Sequence, residues 1–86
     1  IDIDYLAVRA EISGTVFTFK NNGSRTAHLV SIWVNNATLH KRYDAEVFLN
    51  SGETLSYTRL DISLPTGQYT AKVVTERGNI AIYSGG

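Results

Sequence analysis

One stretch decides the fold class: Thr15-Val16-Phe17-Thr18-Phe19-Lys20-Asn21-Asn22-Gly23-Ser24. Along it, Phe17 and Phe19 point to one face and the residues beside them to the other, because side chains alternate along a β-strand. The Asn-Asn-Gly-Ser sequence that follows is a strong turn signal. The stretch therefore predicts a half-buried β-strand that ends in a turn.

The same pattern extends along the chain in both directions. Of the 86 residues, 23 are β-branched, with seven Ile, seven Val and nine Thr, and such residues favour strands. Short apolar runs of period two recur at intervals of roughly 8–12 residues between clusters of Gly and Asn, which is typical of sandwiches. We therefore predict an all-β fold, an antiparallel Ig-like β-sandwich of about seven strands, with a small closed barrel as the alternative.

Turn signals divide the chain into the predicted strands. No stretch keeps apolar residues at helical spacing for three turns, so we allow at most one short helical turn, between Leu39 and Phe48. The predicted strands cover residues 1–10, 15–21, 27–35, 47–49, 54–64, 68–75 and 80–83, with a change of parity at Leu60, and residues 38–40 are a short edge candidate. The first of them must bend, because its apolar side passes from Ile1 and Ile3 to Leu6.

The run from Ala27 to Asn35 cannot keep one phase. One extra residue at Val30-Ser31, a β-bulge, restores the alternation. Ile32 and Val34 then face the core, and Trp33 points away from it.

The inward positions of the predicted strands define the core. Tyr69 follows the Pro65-Thr66-Gly67 turn at the start of the penultimate strand, where Ig-like sandwiches keep a corner tyrosine. The predicted core residues are Phe17, Phe19, Leu29, Ile32, Val34, Leu55, Tyr69, Ala71 and Val73.

Length, cysteine content and charge exclude several classes of protein. A chain of 86 residues forms a single domain, 1–86. Without cysteine it has neither disulfides nor thiolate metal sites. Eight basic and eight acidic residues cancel, which argues against binding nucleic acid or an anionic membrane by bulk charge. Because the chain begins at Ile1 and contains no Met, we expect it to be excised from a longer protein with an N-terminal membrane helix or signal. We expect that N-terminal segment to be the only part of the protein that contacts a membrane.

The residue types that carry catalysis are scarce. The two histidines, His28 and His40, lie on different predicted strands and have no acidic residue at the spacing of a metal site. No G-x-S-x-G nucleophile motif occurs. We therefore expect a protein that is not an enzyme and has no catalytic residue, metal or cofactor.

Two N-x-S/T glycosylation motifs stand in predicted turns. They begin at Asn22 and Asn36, which are the candidate attachment sites if the protein is exported. With six Asn and sixteen Ser and Thr residues in the chain, chance alone supplies about one such motif.

Exposed aromatic residues and free strand edges predict a protein-binding surface. An antiparallel sandwich leaves edge strands available for pairing with another chain, and we expect these edges at 38–40 and 80–83. Aromatic residues near such an edge can form a contact patch; the alternative is that the loop between Asn36 and Glu46 half-covers them. The candidate interface residues are Trp33, Tyr43, Phe48, Ile80, Ala81 and Tyr83.

Four segments resemble a recurring pattern of archaeal surface proteins. They are 19–24, 31–35, 49–54 and 67–79, the last of which reads G-Q-Y-T-A-K-V-V-T-E-R-G-N. The chain thereby resembles the Ig-like or CARDB-like extracytoplasmic domains that follow a pilin-type helix. That group includes the accessory stator proteins of the archaellum, of the FlaF and FlaG type, and pilin head domains. The chain departs from the pattern at residues 50–52, where Asn-Ser-Gly replaces the favoured Pro-Gly.

The resemblance implies a function in the cell surface or in motility, without catalysis. It implies an extracellular binding or anchoring module, membrane-anchored in the full-length protein, that binds S-layer protein or a filament subunit and can form homo-oligomers through an edge strand. One alternative is a subunit or head domain of a pilus or filament. A second is a carbohydrate-binding or adhesion module, for which Trp33 with Tyr43 is the only aromatic platform that the sequence suggests.

Overall fold

The computed structural model describes residues 3–12 and 14–85, and it shows two packed antiparallel sheets. One sheet has the strand order β1-β2-β5 and the other β4-β3-β6-β7. The strands are β1 (Tyr5–Glu11), β2 (Gly14–Lys20), β3 (Ala27–Asn35), β4 (His40–Leu49), β5 (Thr54–Arg59), β6 (Tyr69–Thr75) and β7 (Ile80–Gly85). The predicted all-β sandwich of seven strands is confirmed. The arrangement is compatible with an Ig-like fold. Because the strands form two separate sheets, the alternative prediction of a small closed barrel was wrong.

Strand β2, the segment with the clearest alternation in the sequence, lies at the centre of its sheet. Phe17 stands between Val8 of β1 and Tyr57 of β5 in the ladder. Two residues on, the ring of Phe19 lies 6.2 Å from the ring of Tyr57. Both phenylalanines are fully buried, so this one strand contributes two large apolar side chains to the core.

The core forms between the inner faces of the two sheets. Of the nine predicted core residues, seven are buried, while Leu55 and Tyr69 are partly buried and pack against the others. Tyr69 lies at the start of β6, as predicted, and its ring centroid is 6.4 Å from that of Tyr83. The other members of the hydrophobic core cluster, which the prediction left out, are Ile3, Leu6, Val8, Ala27, Val47, Leu49, Ile62 and Ala81.

The predicted bulge in β3 is confirmed. The register against both β4 and β6 shifts between Leu29 and Ser31. As a result Ile32 and Val34 are buried on the inner face, and Trp33 lies on the outer face opposite Lys72. A β-bulge of this kind lets one strand keep its apolar residues inward on both sides of an inserted residue.

The prediction for β4 was wrong. Residues 38–40 and 47–49 do not form two short strands with a helical turn between them, because His40–Leu49 is one continuous strand paired along β3. Its inward positions alternate with charged outward positions, but Ala45 is a weak apolar marker and Tyr43 is only half-buried. Pairing with the long strand β3 holds this segment extended where its own pattern is faint.

Residues 60–64 also differ from the prediction. Strand β5 ends at Arg59, and the following residues form no ladder although their side chains alternate. Leu60 is exposed while Ile62 is buried. The hydroxyl of Thr15 donates a 2.7 Å hydrogen bond to the carbonyl oxygen of Ile62, so a side chain replaces the strand partner that this backbone lacks.

The apolar phase changes near the start of the chain, as predicted, but residues 3 and 4 precede the strand and do not belong to it. Ile3 and then Leu6 and Val8 are buried, and β1 begins between them at Tyr5. The part of that prediction that concerns Ile1 lies outside the described residues. Within residues 3–12 and 14–85, no helix is long and apolar enough to cross a membrane.

Candidate functional site

The outer face of the four-stranded sheet carries a group of apolar side chains. In the ladder, Trp33 lies opposite Lys72, and Lys72 lies opposite Ile82. In the next row Val74 lies opposite Ile80. Side chains at opposed positions stand about 4.5–5.5 Å apart at Cβ, so these five residues form one continuous surface, which we call the outer patch.

The outer patch is most exposed along β7. The exposed fraction is 52% for Ile80 and 61% for Ile82, whereas Trp33 and Val74 are half-buried. Large apolar side chains that remain this exposed side by side mark contact surfaces more often than isolated ones do. The patch is therefore a candidate interface whose accessible rim is the last strand.

Lys72 covers the indole of Trp33. Its Nζ lies 5.7 Å from the ring centroid, within the range of a cation–π contact. On the other side of Trp33, Arg42 is the cross-strand neighbour and forms a 2.8 Å ion pair with Asp44. The predicted outward direction of Trp33 is thus confirmed, but the ring is half-covered by its neighbour on β6.

This cover gives a first prediction. In Lys72→Ala, Trp33 should become more accessible to acrylamide, because the substitution removes the lysine stem and a cation–π contact of about 0.5–1 kcal/mol. The measurement is quenching of the single tryptophan. Arg42→Ala is the matched control and should leave quenching near that of the parent, since the arginine head is bound to Asp44. Equal quenching in all three proteins would show that Lys72 does not cover the ring.

The outer face of the three-stranded sheet has a different character. Its central row reads Ala7, Thr18 and Ser56 across the ladder, and the next row joins Arg9, Val16 and Thr58. Hydroxyl and charged groups dominate there, and such surfaces remain hydrated at little cost. An apolar outer patch occurs on the four-stranded sheet and has no counterpart on this described face.

The four edge strands also differ in charge. The two sheets leave β1, β5, β4 and β7 at their edges. Charged residues occur in β1, β4 and β5, but the six residues of β7, Ile-Ala-Ile-Tyr-Ser-Gly, contain none. Charged side chains on an edge discourage pairing with another chain. Among the edge strands that the structure describes, β7 is consequently the one open to a partner strand.

The predicted interface residues do not all lie on this surface. Trp33 and Ile80 belong to the outer patch. Phe48 is on the same face but near the far end of the sheet, 59% exposed and stacked 4.1 Å from His28. Ile82 was missed, although it is as exposed as its neighbour Ile80 and stands at alternate spacing from it.

Three of the predicted interface residues face inward. Tyr43 and Tyr83 are half-buried and pack against the core, and Ala81 is buried. The reason is register, since Tyr83 lies opposite Ala71 and Ala81 opposite Val73, both inner positions. The prediction that the Tyr83 side chain points outward was wrong, because the inward and outward positions of this strand are shifted by one residue from those predicted. Trp33 and Tyr43 consequently stand on opposite faces of the sheet and form no common platform.

Arg59 forms a polar contact between the two sheets. Arg59 of β5 binds both carboxylate oxygens of Asp61, at 2.7 and 2.8 Å, and donates a 2.8 Å hydrogen bond to the carbonyl oxygen of Asp44 in β4. The hydrogen bond from Arg59 holds the pKa of Asp61 below its usual range. Separately, burial and the neighbouring Tyr83 raise the pKa of Tyr69. These shifts follow from packing and ion pairing, and neither group faces the outer patch.

The histidines and the glycosylation motifs are dispersed. His28 is half-buried, with Nδ1 3.1 Å from a carboxylate oxygen of Glu76, and His40 is exposed at the start of β4. Asn22 is exposed, and its Nδ2 donates to the carboxylate of Asp4. Asn36 is half-buried, and its Oδ1 accepts a 2.9 Å hydrogen bond from the backbone of the Thr38 in its own motif. Over residues 3–12 and 14–85, no three His, Cys, Asp or Glu side chains converge on a possible metal position.

Comparison with known proteins yields no matching family model and no significantly similar curated protein.

Proposed function

We propose that this domain is a non-catalytic binding or anchoring module of the archaeal cell surface, most like an archaellum accessory domain. In this proposal it works outside the cell, is membrane-anchored in the full-length protein, and binds S-layer protein or a similar surface partner. One observation carries the binding mode: the uncharged edge strand β7 is continuous with the exposed isoleucines of the outer patch. The archaeal assignment rests on the resemblance of the four sequence segments.

The chemistry of β7 suits the addition of a strand from a partner. Backbone N–H and C=O groups of an edge strand supply affinity in such complexes, and alternate side chains supply specificity. On β7 the outward alternate residues are Ile80 and Ile82, which would be desolvated together with the stem of Lys72. The partner expected here presents an extended, uncharged segment with apolar residues at every second position.

A groove beside β7 favours a second function, as a subunit of a pilus or filament. β1 approaches β7 across the side of the sandwich without pairing with it. The gap between them has a volume of about 370 Å³ and is lined by Ile3, Asp4 and Leu6 on one side and by residues 79–82 on the other. An extended segment of a neighbouring subunit could lie in this gap and pair with β7, as in donor-strand assembly.

The test of the binding mode is Ile82→Lys. We expect it to weaken self-association or binding to purified S-layer protein by about tenfold or more, because it places a hydrated charge in the centre of the contact. Analytical ultracentrifugation measures self-association, and surface plasmon resonance measures S-layer binding. Circular dichroism checks the fold. Ile82 is the better position than Ala81 or Tyr83, which are packed inward, so that substitutions there would disturb folding itself.

Ser56→Lys is the matched control. It places the same charge at an exposed outer position of β5, an edge strand of the other sheet, and should leave association unchanged. If Ile82→Lys stays folded and associates and binds as strongly as Ser56→Lys and the parent, β7 is not the functional edge. A different outcome favours the filament function over the anchoring function. In it, the parent binds filament subunits but not S-layer protein, and Ile82→Lys loses the binding to filament subunits.

A further inference from the structure

A polar groove opens at one end of the four-stranded sheet, where the ladder row of Asn35, Thr70 and Ser84 follows the row of Trp33, Lys72 and Ile82. It has a volume of about 740 Å³, within the range of small-molecule binding sites. Its walls come from three places: the end of β3 with the turn that follows, the segment leading into β6, and the end of β7. The lining residues are Asn35, Asn36, Ala37, Gln68, Tyr69, Thr70, Ser84 and Gly85.

None of these eight lining residues is charged. The carboxamides of Asn35 and Gln68 supply both donors and acceptors, and the hydroxyls of Thr70 and Ser84 supply more. A site without cations or anions gains little from a charged ligand, which must shed its hydration without meeting an opposite charge. The groove therefore suits a neutral ligand that is rich in hydroxyl groups.

Asn35 has hydrogen-bonding capacity that the protein does not use. Its Oδ1 is shielded from solvent and accepts no hydrogen bond from the described residues. A buried acceptor without a donor is unfavourable, and a terminal amide turns easily about its last torsion. A ligand hydroxyl at the groove would give this carboxamide the donor it lacks.

Asn36, by contrast, is already committed to the turn. Its Oδ1 accepts hydrogen bonds from the backbone nitrogens of Thr38, at 2.9 Å, and Leu39, at 2.7 Å. These bonds fix the turn after β3 that forms one wall of the groove. The wall is thus held in place before any ligand arrives, which lowers the entropic cost of binding.

Tyr69 is the one aromatic residue among the eight that line the groove. Its ring is close to that of Tyr83, with centroids 6.4 Å apart. A Cβ added to Gly85 would come within 2.7 Å of the Tyr69 ring and 2.8 Å of the Tyr83 ring, so the glycine allows the backbone of β7 to lie directly against both. The hydroxyl groups of a sugar would use the amide and hydroxyl groups of Asn35, Thr70 and Ser84, which share one cross-strand row.

We propose that this groove binds one or two residues of a neutral glycan. The proposal adds a ligand class to the domain and uses residues that are separate from the outer patch. It differs also from the Trp33 and Tyr43 platform suggested by the sequence, whose two aromatic rings lie on opposite faces of the sheet.

The test is a titration of the isotope-labelled 86-residue chain with glucose, galactose, mannose and N-acetylglucosamine, followed by amide NMR shifts. Binding of at least one sugar in the millimolar range is expected, with shifts at Gln68, Thr70 and Ser84. Glucuronic acid and glucosamine should bind no more tightly than their neutral counterparts, because no charged group lines the groove.

Two variants locate the site. Gln68→Ala and Thr70→Val should each weaken sugar binding by about threefold to tenfold, the equivalent of one lost hydrogen bond. Thr18→Val, the same change on the outer face of the other sheet, is the control and should bind as the parent does. The proposal is overturned if no sugar shifts the amides of the groove, if shifts cluster instead around Trp33, or if all three variants bind equally. Gln68 lies in the segment before β6 and takes no part in β7, so loss of sugar binding in Gln68→Ala with protein binding retained tells the two functions apart.

Discussion

Replacing Phe19 with alanine is expected to lower the free energy of unfolding by about 3–5 kcal/mol. The ring is fully buried between the sheets and lies 6.2 Å from the ring of Tyr57. The substitution removes its burial and leaves a cavity that the two sheets can close only in part. A domain of 86 residues has a total stability of about 4–13 kcal/mol, so this one change removes a large share of it. Urea denaturation followed by circular dichroism measures the effect.

Thr18→Ala is the matched control for Phe19→Ala. It lies next to Phe19 in β2 but on the outer face, where its hydroxyl makes only a 3.4 Å contact with Ser56. Its effect should stay within about 0.5 kcal/mol. If both variants unfold at the same urea concentration as the parent, the register of β2 is not the one described above.

The sequence was most informative where one strand face is strongly apolar. Phe17 and Phe19 reveal both the existence and the phase of β2, and the parity change around Val30-Ser31 reveals the bulge of β3. The sequence did not predict β4 as one continuous strand, because Ala45 is only weakly apolar and the positions around it are charged. Its extended conformation is imposed by pairing with β3, and such a long-range contact leaves no local mark.

The candidate site could be predicted only in part for the same reason. The prediction that the final strand is a sheet edge is confirmed. In a strand that reads Ile-Ala-Ile-Tyr, however, apolar residues occupy both faces, so the sequence cannot tell which isoleucines or which aromatic side chain points outward. Tyr83 was placed on the wrong face, and Ile82 was missed. The polar groove had no signal at all, since its lining comes from three separate segments of the chain.

Asn21 shows how a turn motif can conceal a structural role. In the sequence it opens the Asn-Asn-Gly-Ser turn, yet its side chain is fully buried. Its Nδ2 donates to the carbonyl oxygens of Arg25, at 2.7 Å, and Leu49, at 2.9 Å. Its Oδ1 accepts a 2.8 Å hydrogen bond from the backbone nitrogen of Gly23. One carboxamide thus ties the loop after β2 to the end of β4 in the opposite sheet.

Asn21→Ala should therefore destabilise the domain by about 2–4 kcal/mol, because three hydrogen bonds are lost and two carbonyl oxygens remain without their donor. Urea denaturation again measures the loss. The adjacent Asn22→Ala, at an exposed position, is the control and should change stability by no more than about 0.5 kcal/mol. A result in which the two alanine variants are equally stable would mean that Asn21 acts only as a turn residue.

Asn21→Asp removes the amide donor but keeps the size and shape of the side chain, so it tests the two contributions separately. The new carboxyl group keeps the size of the amide, but when ionised it offers only acceptors to the carbonyls of Arg25 and Leu49. Burial and these carbonyls disfavour its charged form, so its pKa in the folded state must lie above its unfolded value of about 3.9. A raised pKa makes the folded state bind more protons than the unfolded one, and stability then falls as pH rises through that window.

Relative to the parent, the variant should be strongly destabilised at neutral pH and should recover as the pH falls toward about 4, where the protonated carboxyl can again donate one hydrogen bond. A deficit that is the same at both pH values would show that ionisation is not its cause, and that the lost geometry alone is responsible.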